Sequence, residues 1–444
     1  MAPLRLTVIG VGYLGLTHAA CMADLGHEVL AIDTDHERIA RASAGELPFF
    51  EPGLEPLLRK GLDTGRLRFT TSYADIGAFG EVHFLCVGTP QRPDGAADLS
   101  YLTHAADALA PHLRSGCLIA GKSTVPAGTA RALLATIRAA APAGEQVDLA
   151  WNPEFLREGH AVADTLHPDR FVFGVTSPRA EAVLRQVYAV PLADGIPALS
   201  MGLETAELVK VSANAFLAVK ISFINAVADA CEAAGADVTQ LTAALALDER
   251  IGRRGMAPGL GFGGGCLPKD IRAFRATAAA LGVQSVARLL EDVDEINKSR
   301  RAHVVDMARD AAGGSLAGKK IAALGVAFKP DSDDVRDSPS LDVIGRLAAE
   351  GALVTAHDPV AIDNAARLHP ELHYATTVLD AAHGADLVLH LTEWDEYRSL
   401  DPAALAAVTA GRTIIDARCV LDTRAWQTAG WTVRTVGRSA DLSG

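Results

Sequence analysis

Apolar and polar positions follow two different periods over the first 190 residues. Short apolar, β-branched runs predict strands, at residues 4–9, 27–33, 82–87, 117–122 and 147–151. Ala-rich helical patterns separate these runs, and the first of them covers residues 16–25. Alternation of this kind predicts a parallel, doubly wound sheet with helices on both faces.

The periodicity changes after residue 202. A helical pattern without Pro or Gly runs from 204 to 234, and further helices are predicted at 238–247, 271–280 and 285–310. A second α/β alternation begins at Gly318, with strands at 320–326, 352–358, 386–391 and 412–416 and a helix at 340–349. We therefore predict an α/β fold with two Rossmann-like domains, at 1–200 and 311–444. A central helical domain with one long helix, at 201–310, joins them.

The first predicted strand ends in the sequence GVGYLG at 10–15, and Asp33 lies 18 residues beyond Gly15. Glycines at this spacing let a pyrophosphate approach the turn, and the following helix N-terminus supplies N–H donors. Asp33 would accept hydrogen bonds from ribose hydroxyls. No arginine follows it immediately to receive a 2′-phosphate, so the motif favours NAD over NADP. The alternative is a structural glycine turn in an ordinary α/β domain.

A second glycine-rich segment, GFGGGCLPKD at 261–270, contains a cysteine. Three consecutive glycines before Cys266 predict backbone that a ligand can approach closely. A helix N-terminus beside Lys269 would favour the thiolate of Cys266. If that helix begins at Leu267, Asp270 lies one turn from the thiol and could position a water. The alternative is a small buried cysteine on a structural turn, our interpretation of the other five cysteines.

Three further segments place polar groups among apolar neighbours. Lys210 and Asn214 are four residues apart in the long predicted helix and share a face, although a solvated polar stripe would give the same pattern. The sequences WNPEFLRE at 151–158 and KSTVP at 122–126 each follow a strand, where open α/β sheets bind ligands. Each segment could instead cap or support the next helix.

Composition excludes several classes of protein. The 444 residues suffice for two or three domains, and 41 Lys+Arg against 54 Asp+Glu give a net charge of −13. With no basic run longer than two, we expect no nucleic-acid partner. Six scattered cysteines without CxxC or HExxH predict neither a disulfide framework nor a metal site, and indicate a reduced, cytoplasmic chain. The N-terminus superficially resembles a signal peptide, but its glycine spacing fits a phosphate-binding turn, and we expect no membrane partner.

Eight segments, in this order along nearly the whole chain, resemble the motifs of the UDP-glucose/GDP-mannose dehydrogenase family of nucleotide-sugar 6-dehydrogenases. They are GVGYLG, CVGTP, KSTVP, NPEFLREG, ELVKVSANAF, GFGGGCLPKD, FKPDSDDVRDSPS and DARCVLD. The resemblance implies an NAD-binding N-terminal domain, a nucleotide-sugar-binding C-terminal domain and a long helix at the interface of a homodimer or larger homo-oligomer. It also implies four-electron oxidation of a sugar C6 alcohol, most simply UDP-glucose to UDP-glucuronate, through a cysteine thiohemiacetal and thioester.

The same resemblance implies roles for individual residues. Cys266 would be the nucleophile, Lys210 and Asn214 would stabilise oxyanions, Asp270 with Thr124 would orient water, and Glu158 would handle protons. The matched cofactor positions are Gly10, Gly12, Tyr13, Leu14, Gly15, Asp33, Arg38, Thr89, Thr124, Glu158, Lys269 and Arg336. The matched nucleotide-sugar positions are Glu154, Phe155, Leu156, Arg157, Glu158, Lys210, Asn214, Arg250, Phe262, Gly263, Lys329 and Arg418. Of these, Arg250 would reach into the site of a neighbouring subunit.

Two departures from the family pattern leave the nucleotide and the sugar open. Many members carry GGSCFPKD, whereas this chain has Gly265 and Leu267, and Ala257 stands where several relatives carry a basic residue. dTDP-glucose, a UDP-N-acetylhexosamine or GDP-mannose are therefore alternative substrates. A two-electron β-hydroxyacid-type dehydrogenase is a further alternative, but it has no use for Cys266 or for a third domain. The intact reacting groups oppose a non-catalytic nucleotide-sugar binder.

Overall fold

A computed structural model describes residues 3–439. The chain forms two compact units, Met1–Ala213 and Asn214–Gly444, and the boundary lies inside a 32-residue helix, Leu203–Ala234. Each unit contains its own sheet, mostly parallel in the first unit and wholly parallel in the second, and its own buried apolar core. The predicted α/β class with a long central helix is confirmed.

The first unit is built on an eight-stranded sheet. Its strands are β1 (Arg5–Ile9), β2 (Glu28–Ile32), β3 (Leu67–Thr70), β4 (Val82–Leu85), β5 (Leu118–Gly121), β6 (Asp148–Trp151), β7 (Phe171–Val175) and β8 (Ala198–Met201). They pair in the order β3-β2-β1-β4-β5-β6-β7-β8, in which the direction of strand addition reverses between β1 and β4. Ligands of doubly wound folds bind at such a reversal, outside the carboxyl ends of the strands.

One junction in this sheet differs from the wholly parallel prediction, because β7 pairs antiparallel with β6. Helices cover both faces of the sheet: α1 (Tyr13–Asp24), α2 (His36–Ser43), α3 (Leu54–Asp63), α4 (Tyr73–Phe79), α5 (Ser100–Leu109), α6 (Thr129–Ala140), α7 (Ala161–Leu166), α8 (Pro178–Val187) and α9 (Ala189–Ala193). The connection from β6 to β7 contains only the six-residue α7. An antiparallel pair does not require the βαβ crossover of a parallel one, and this short helix is consistent with that.

Four long or medium helices follow: α10 (Leu203–Ala234), α11 (Val238–Leu245), α12 (Leu267–Ala280) and α13 (Gln284–Ala311). Within the first unit, Glu207 of α10 is almost fully buried and accepts hydrogen bonds from the backbone N–H groups of Gly128 and Ala130, at 2.7 and 2.6 Å. Burial raises the pKa of this carboxyl. These bonds satisfy the first turn of α6 and attach the long helix to the sheet below it.

Within residues 3–439, α10 is also the one helix long and apolar enough to cross a membrane by length and composition. Its most apolar 18 residues have a mean hydropathy of 1.5, and 44% of that window is buried inside the protein. Core helices of soluble proteins share this composition, so the helix by itself is weak evidence for a membrane span.

The second unit ends in a wholly parallel six-stranded sheet of order β11-β10-β9-β12-β13-β14. Its strands are β9 (Lys320–Leu324), β10 (Leu353–His357), β11 (His373–Tyr374), β12 (Leu387–His390), β13 (Thr413–Asp416) and β14 (Thr432–Thr435). Its helices are α14 (Pro339–Ala349), α15 (Ile362–Leu368), α16 (Val378–Ala382), α17 (Asp395–Arg398), α18 (Pro402–Val408) and α19 (Thr423–Thr428). As predicted, a second doubly wound α/β region therefore follows the helices.

Candidate active site

The glycine turn after β1 has the steric requirements of a dinucleotide site. Gly10 has φ +95°, a conformation that favours glycine, and a Cβ atom at Gly15 would lie 1.7 Å from the carbonyl oxygen of Gly10. A Cβ atom at Gly12 would meet no protein atom within 4 Å. The space at Gly12 thus suits a bound pyrophosphate, and the N-terminus of α1 begins beside it, at Tyr13.

Asp33 lies at the end of β2, where the sequence predicts contact with the ribose of NAD. Its Oδ2 accepts hydrogen bonds from the Val11 N–H at 2.8 Å and from Arg38 Nη1 at 3.0 Å. The carboxylate therefore orients the glycine turn and fixes the Arg38 guanidinium on the rim of the same site. With its cation neutralised by Asp33, Arg38 is poorly placed to attract a 2′-phosphate, which agrees with a preference for NAD.

Glu51 is a buried carboxylate that the sequence reasoning missed. It accepts a hydrogen bond from the Tyr13 hydroxyl, and its two oxygens accept hydrogen bonds from the N–H groups of Gly159 and Ala161, each at 2.7 Å. Burial, reinforced by Glu51, raises the pKa of Tyr13, which therefore stays a protonated donor. One side chain thus connects the dinucleotide turn to the segment that carries Glu158. Only its place in an apolar context, between Phe50 and Pro52, distinguishes it in the sequence.

The carboxyl ends of β4 and β5 bring two predicted cofactor residues together. Thr89 Oγ1 donates a hydrogen bond of 2.8 Å to the carbonyl oxygen of Thr124, and Ser123 Oγ donates one of 2.6 Å to the carbonyl oxygen of Val87. These cross-connections hold both loops at the sheet edge on which the glycine turn lies. Parallel strands present their carboxyl ends on one edge, which explains the grouping.

The loop after β6 supplies the predicted sugar-binding carboxylate of this unit. Glu154 Oε1 lies 3.2 Å from Lys210 Nζ, and both side chains are largely buried. Phe155 packs under the Lys210 ammonium, 5.6 Å from the ring centroid. Arg157 differs from this group, because its half-exposed guanidinium pairs with Asp164 of α7. The structure thus assembles Glu154, Phe155 and Lys210, and directs Arg157 toward α7.

In the second unit, Cys266 occupies the N-cap position of α12, so the helix begins at Leu267 and includes the proline two residues after the thiol in its first turn. Five of the six cysteines are buried or partly buried, and Cys266 is the exposed one. Positive potential at a helix N-terminus stabilises a thiolate. Position and exposure together fit a nucleophile and not a structural core cysteine.

Asp270 lies one turn into α12 and is 1% exposed. Its Oδ2 accepts a hydrogen bond of 2.7 Å from Asn214 Nδ2, and its Oδ1 pairs with Lys269 Nζ at 2.6 Å. These two contacts hold the carboxylate in a defined orientation beside the Cys266 turn. Lys269, predicted as a cofactor contact, directs its ammonium to Asp270 within its own unit.

The three glycines before Cys266 accommodate the protein's own chain and not only a ligand. A Cβ atom at Gly263 would lie 2.3 Å from the Asp337 carbonyl oxygen. One at Gly264 would lie 2.8 Å from the Phe328 ring, and one at Gly265 would lie 2.3 Å from the Arg336 guanidinium carbon. Arg336 is paired with Asp334, whose Oδ2 also accepts the Gly265 N–H at 3.3 Å. Gly265, a departure from the family pattern, thus makes room for Arg336.

The predicted nucleotide-sugar residues of the second unit lie close together. The Arg418 guanidinium donates to the carbonyl oxygens of Leu391, Phe328 and Gly261, at 2.6, 3.3 and 3.5 Å. Lys329 adjoins Phe328, with its ammonium 5.5 Å from the ring centroid. Arg418 Nε also lies 3.2 Å from Glu393 Oε2, so this cation connects the backbone of residues 261, 328 and 391 to a carboxylate of its own unit.

Asn297 of α13 holds this loop in place and was not predicted from the sequence. Its Oδ1 accepts the Phe262 N–H at 2.7 Å, and its Nδ2 donates to the Phe262 carbonyl oxygen at 2.9 Å. A Cβ atom at Gly261 would lie 2.5 Å from the same Oδ1. Arg250, by contrast, is 89% exposed and pairs with its neighbour Asp248. The structure does not bring Arg250 to the loop of its own unit.

The turn after β9 differs from the glycine turn of the first unit. Asp358 Oδ2 accepts the N–H groups of Val326 and Ala327, at 2.9 and 3.0 Å, and also the Trp394 indole N–H at 3.3 Å. An internal carboxylate thus uses the donors that would otherwise face a pyrophosphate.

Asp229, Glu232 and His303 offer three atoms within 4.8 Å of one another. The buried Arg300 forms an ion pair with Asp229, and Glu232 accepts a hydrogen bond from the Gly437 N–H. Both carboxylates therefore already bind donor groups of the protein, and the cluster gives no support for a metal site.

A glycine turn of this geometry after the first strand of a doubly wound sheet is typical of an NAD-dependent oxidoreductase. The chain belongs to the UDP-glucose/GDP-mannose dehydrogenase family. Residues 4–191 match the NAD binding domain of that family, residues 204–299 its central domain and residues 322–423 its UDP binding domain. The predicted family and the NAD cofactor are thereby confirmed.

Individual relatives match over almost the full length. The chain is 40% identical over 438 residues to UDP-glucose 6-dehydrogenase of Rhizobium meliloti, covering 98% of this chain and 100% of that protein. It is 39% identical over 437 residues to UDP-glucose 6-dehydrogenase TuaD of Bacillus subtilis, covering 98% and 94%. A solved UDP-glucose dehydrogenase from Pyrobaculum islandicum superposes with a TM-score of 0.90 at 36% identity, covering 99% and 98%.

Proposed function

We propose that this enzyme oxidises the C6 hydroxyl of UDP-glucose to the carboxylate of UDP-glucuronate, with two NAD reduced per sugar. The observation that carries the proposal is the exposed thiol of Cys266, one helical turn from the buried carboxylate of Asp270. A dehydrogenase that stops at the aldehyde has no need of such a nucleophile. The curated relatives named above, which match end to end, support the choice of sugar nucleotide.

NAD supplies the hydride acceptor for both oxidations, and the glycine turn fits it because Gly12 leaves the required space. The protein supplies the remaining chemistry. Lys210, close to Glu154, stabilises the alkoxide formed as the C6 hydroxyl loses its proton. Loss of the first hydride from C6 gives the aldehyde. The Cys266 thiolate then adds to the aldehyde carbon, and the second hydride leaves from this same C6 carbon, which now bears the oxyanion.

Loss of the second hydride converts the thiohemiacetal into a thioester on Cys266. Water adds to the thioester carbonyl, the C–S bond breaks, and the acid leaves while Cys266 is restored as thiolate. Asp270, with Asn214 and Lys269 fixing its orientation, accepts a proton from that water. The oxidation removes four electrons from C6 as two hydrides, and one water supplies the second carboxylate oxygen.

The stoichiometry of the reaction tests this function directly. With limiting UDP-glucose and excess NAD, we expect two NADH per sugar, measured at 340 nm, together with one UDP-glucuronate by ion-exchange chromatography. Covalent capture explains the expected absence of free aldehyde. A yield of one NADH with aldehyde in solution would refute the proposal. The same assay with dTDP-glucose, GDP-mannose and a UDP-N-acetylhexosamine identifies the preferred substrate.

We also propose that the protein forms a homodimer or a larger homo-oligomer through the α10 face that carries Phe216 and Phe223. These side chains are seven residues apart on one face and are 65% and 54% exposed, and Leu217 beside them is 41% exposed. A second copy is the occupant that would also place the exposed Arg250 near another subunit's site. Apolar patches of this kind mark interfaces.

Light scattering on a gel-filtration column checks the assembly. We expect at least twice the chain mass for the wild type and a smaller species for Phe216→Asp with Phe223→Asp, because charge on this face opposes burial. Phe50→Asp, an exposed aromatic position in the other unit, is the control and should not change the mass. A monomeric wild type at micromolar concentration would contradict the proposal.

We also propose that the protein works in the cytoplasm, because its six free thiols fit a reducing compartment.

A further inference from the structure

A lysine buried in the first unit has an unusual set of partners. Lys122 follows β5 directly and is 7% exposed. Its Nζ lies 3.1 Å from Asn152 Oδ1 and 3.4 Å from both the Asn152 carbonyl oxygen and the Tyr188 hydroxyl. Across residues 3–439, no carboxylate is within 4.0 Å of this ammonium. The hydrogen-bond partners of this ammonium are therefore neutral dipoles.

The rest of the shell around Lys122 is apolar or uncharged. The rings of Phe84 and Tyr188 lie 6.0 and 5.8 Å from its Nζ, and the thiol of Cys86 is buried nearby. His18 contacts Phe84 and is fully buried, and burial lowers the pKa of its ring well below the usual value. Burial likewise lowers the pKa of Lys122, to about 8.

Such a site is costly if its role is structural. An ammonium in an apolar shell pays desolvation without the compensation of a paired charge, and a methionine of similar length would fill the same volume. Tyr188 Oη also donates to Asn152 Oδ1 at 2.6 Å, so that hydrogen bond does not depend on the lysine. Ionisable groups kept at such cost cluster at functional sites.

Lys122 connects to the reacting residues through one loop. Asn152, its main partner, is followed by Pro153 and then by Glu154, whose Oε1 pairs with Lys210 Nζ at 3.2 Å. Electrostatic coupling runs along the same route: the charge of Glu154 favours the protonated form of Lys122, and the charge of Lys210 opposes it. The charged groups facing Lys122 are thus Glu154 and Lys210, and the titratable neighbours are His18, Cys86 and Tyr188.

We propose that Lys122 is a positioning residue for the oxidation: its buried ammonium anchors Asn152 and so fixes the loop of Glu154, and its positive charge acts on the Glu154–Lys210 pair. The proposal rests on the proposed function, in which Lys210 stabilises the oxyanion at C6. Lys122 itself does not touch the substrate. It acts only while protonated, so its contribution is present below about pH 8 and fades above it.

Two substitutions separate the charge from the shape of the side chain. Lys122→Met keeps the length without charge, and Lys122→Gln keeps a hydrogen-bond donor for Asn152 without charge. We expect both to lower kcat for UDP-glucose about 10- to 100-fold at pH 7, as loss of precise positioning does. NAD affinity, measured by fluorescence titration, should change less than twofold. Lys60→Met, which removes an exposed lysine paired with Asp24 in the same unit, is the matched control and should retain full activity.

The pH dependence distinguishes this role from a structural one. We expect the ratio of wild-type to Lys122→Met kcat to be largest at pH 6.5 and to fall toward one by pH 9.5, because the wild-type lysine loses its proton over that range. The melting temperature of Lys122→Met at pH 7 should be unchanged or higher, since a buried charge is removed. A ratio near one at every pH, a large ratio that does not change with pH, or full activity of Lys122→Gln would each overturn the proposal.

Wild-type turnover of UDP-glucose, measured in the same series, separates the two hypotheses. If the wild type yields two NADH per sugar and Lys122→Met is equally active, the role of Lys122 is overturned and the proposed function remains intact. A wild type that does not oxidise UDP-glucose would overturn the proposed function, and with it this role for Lys122.

Discussion

Cys266→Ser is expected to lower kcat for UDP-glucuronate formation at least about 1,000-fold, the scale seen when a covalent nucleophile is lost. A serine hydroxyl at the N-terminus of α12 is not ionised at neutral pH and is a weak nucleophile. The thiol that it replaces is exposed at the same helix N-terminus, a position that favours a thiolate. Any ester formed on serine would also hydrolyse far more slowly than a thioester.

Three measurements examine this variant. Steady-state NADH production gives kcat, quenched samples show by mass spectrometry whether the sugar remains attached, and fluorescence titration shows that NAD still binds. Cys231→Ala, which alters a buried cysteine in the core of the same unit, is the control and should keep most of the activity. Normal turnover by Cys266→Ser would show that the thiol is not the nucleophile.

Asp270→Asn should lower kcat about 100- to 1,000-fold and should make the thioester accumulate. The wild-type carboxylate accepts from Asn214 Nδ2 on one oxygen and pairs with Lys269 Nζ on the other. An amide can accept on one atom only, so one of these donors would face an NH₂ group, and no base would remain to take a proton from water. The step most affected is hydrolysis, which follows both hydride transfers.

Rapid mixing tests the Asp270 prediction, with NADH followed in the first turnover. We expect a burst that approaches two NADH per active site, followed by a slow steady state, and a covalent adduct on Cys266. Asp306→Asn, which removes an exposed carboxylate paired with Arg309 in the same unit, should behave as wild type. Loss of the burst itself would assign Asp270 to an earlier step.

Local spacing explains why much of this protein could be predicted from its sequence. The turn at 10–15 requires glycine for two local reasons. Gly10 has a positive φ, and a Cβ atom at Gly15 would collide with the Gly10 carbonyl oxygen. Cys266 and Asp270 are four residues apart, so a helix beginning at Leu267 places them one turn apart wherever that helix lies. The alternation of apolar runs and helical patterns likewise indicated both sheets. It missed the strands β3, β7, β8, β11 and β14 and the antiparallel junction at β7.

Contacts between distant segments could not be predicted in this way. Glu51 meets the Gly159 N–H across 108 residues, Asn214 meets Asp270 across 56, and Lys122 meets Asn152 across 30. These pairs depend on strand order and on which helix face is buried, and a single sequence does not encode either property as a local pattern. Asp358 and Asn297, each of which satisfies backbone groups of a loop, were missed for the same reason.

By itself, the sequence identified the candidate reacting groups: a dinucleotide turn, and a thiol with a carboxylate one helical turn away. Those features follow from residue type and spacing. Only the tertiary structure decided what holds these groups in place. The glycines at 263–265 make room for the segment 328–337, and Lys122 is hydrogen-bonded to Asn152, two residues before the Glu154 that pairs with Lys210. Burial and long-range hydrogen bonds exist only once the chain is folded, and they set the charge and orientation of each side chain.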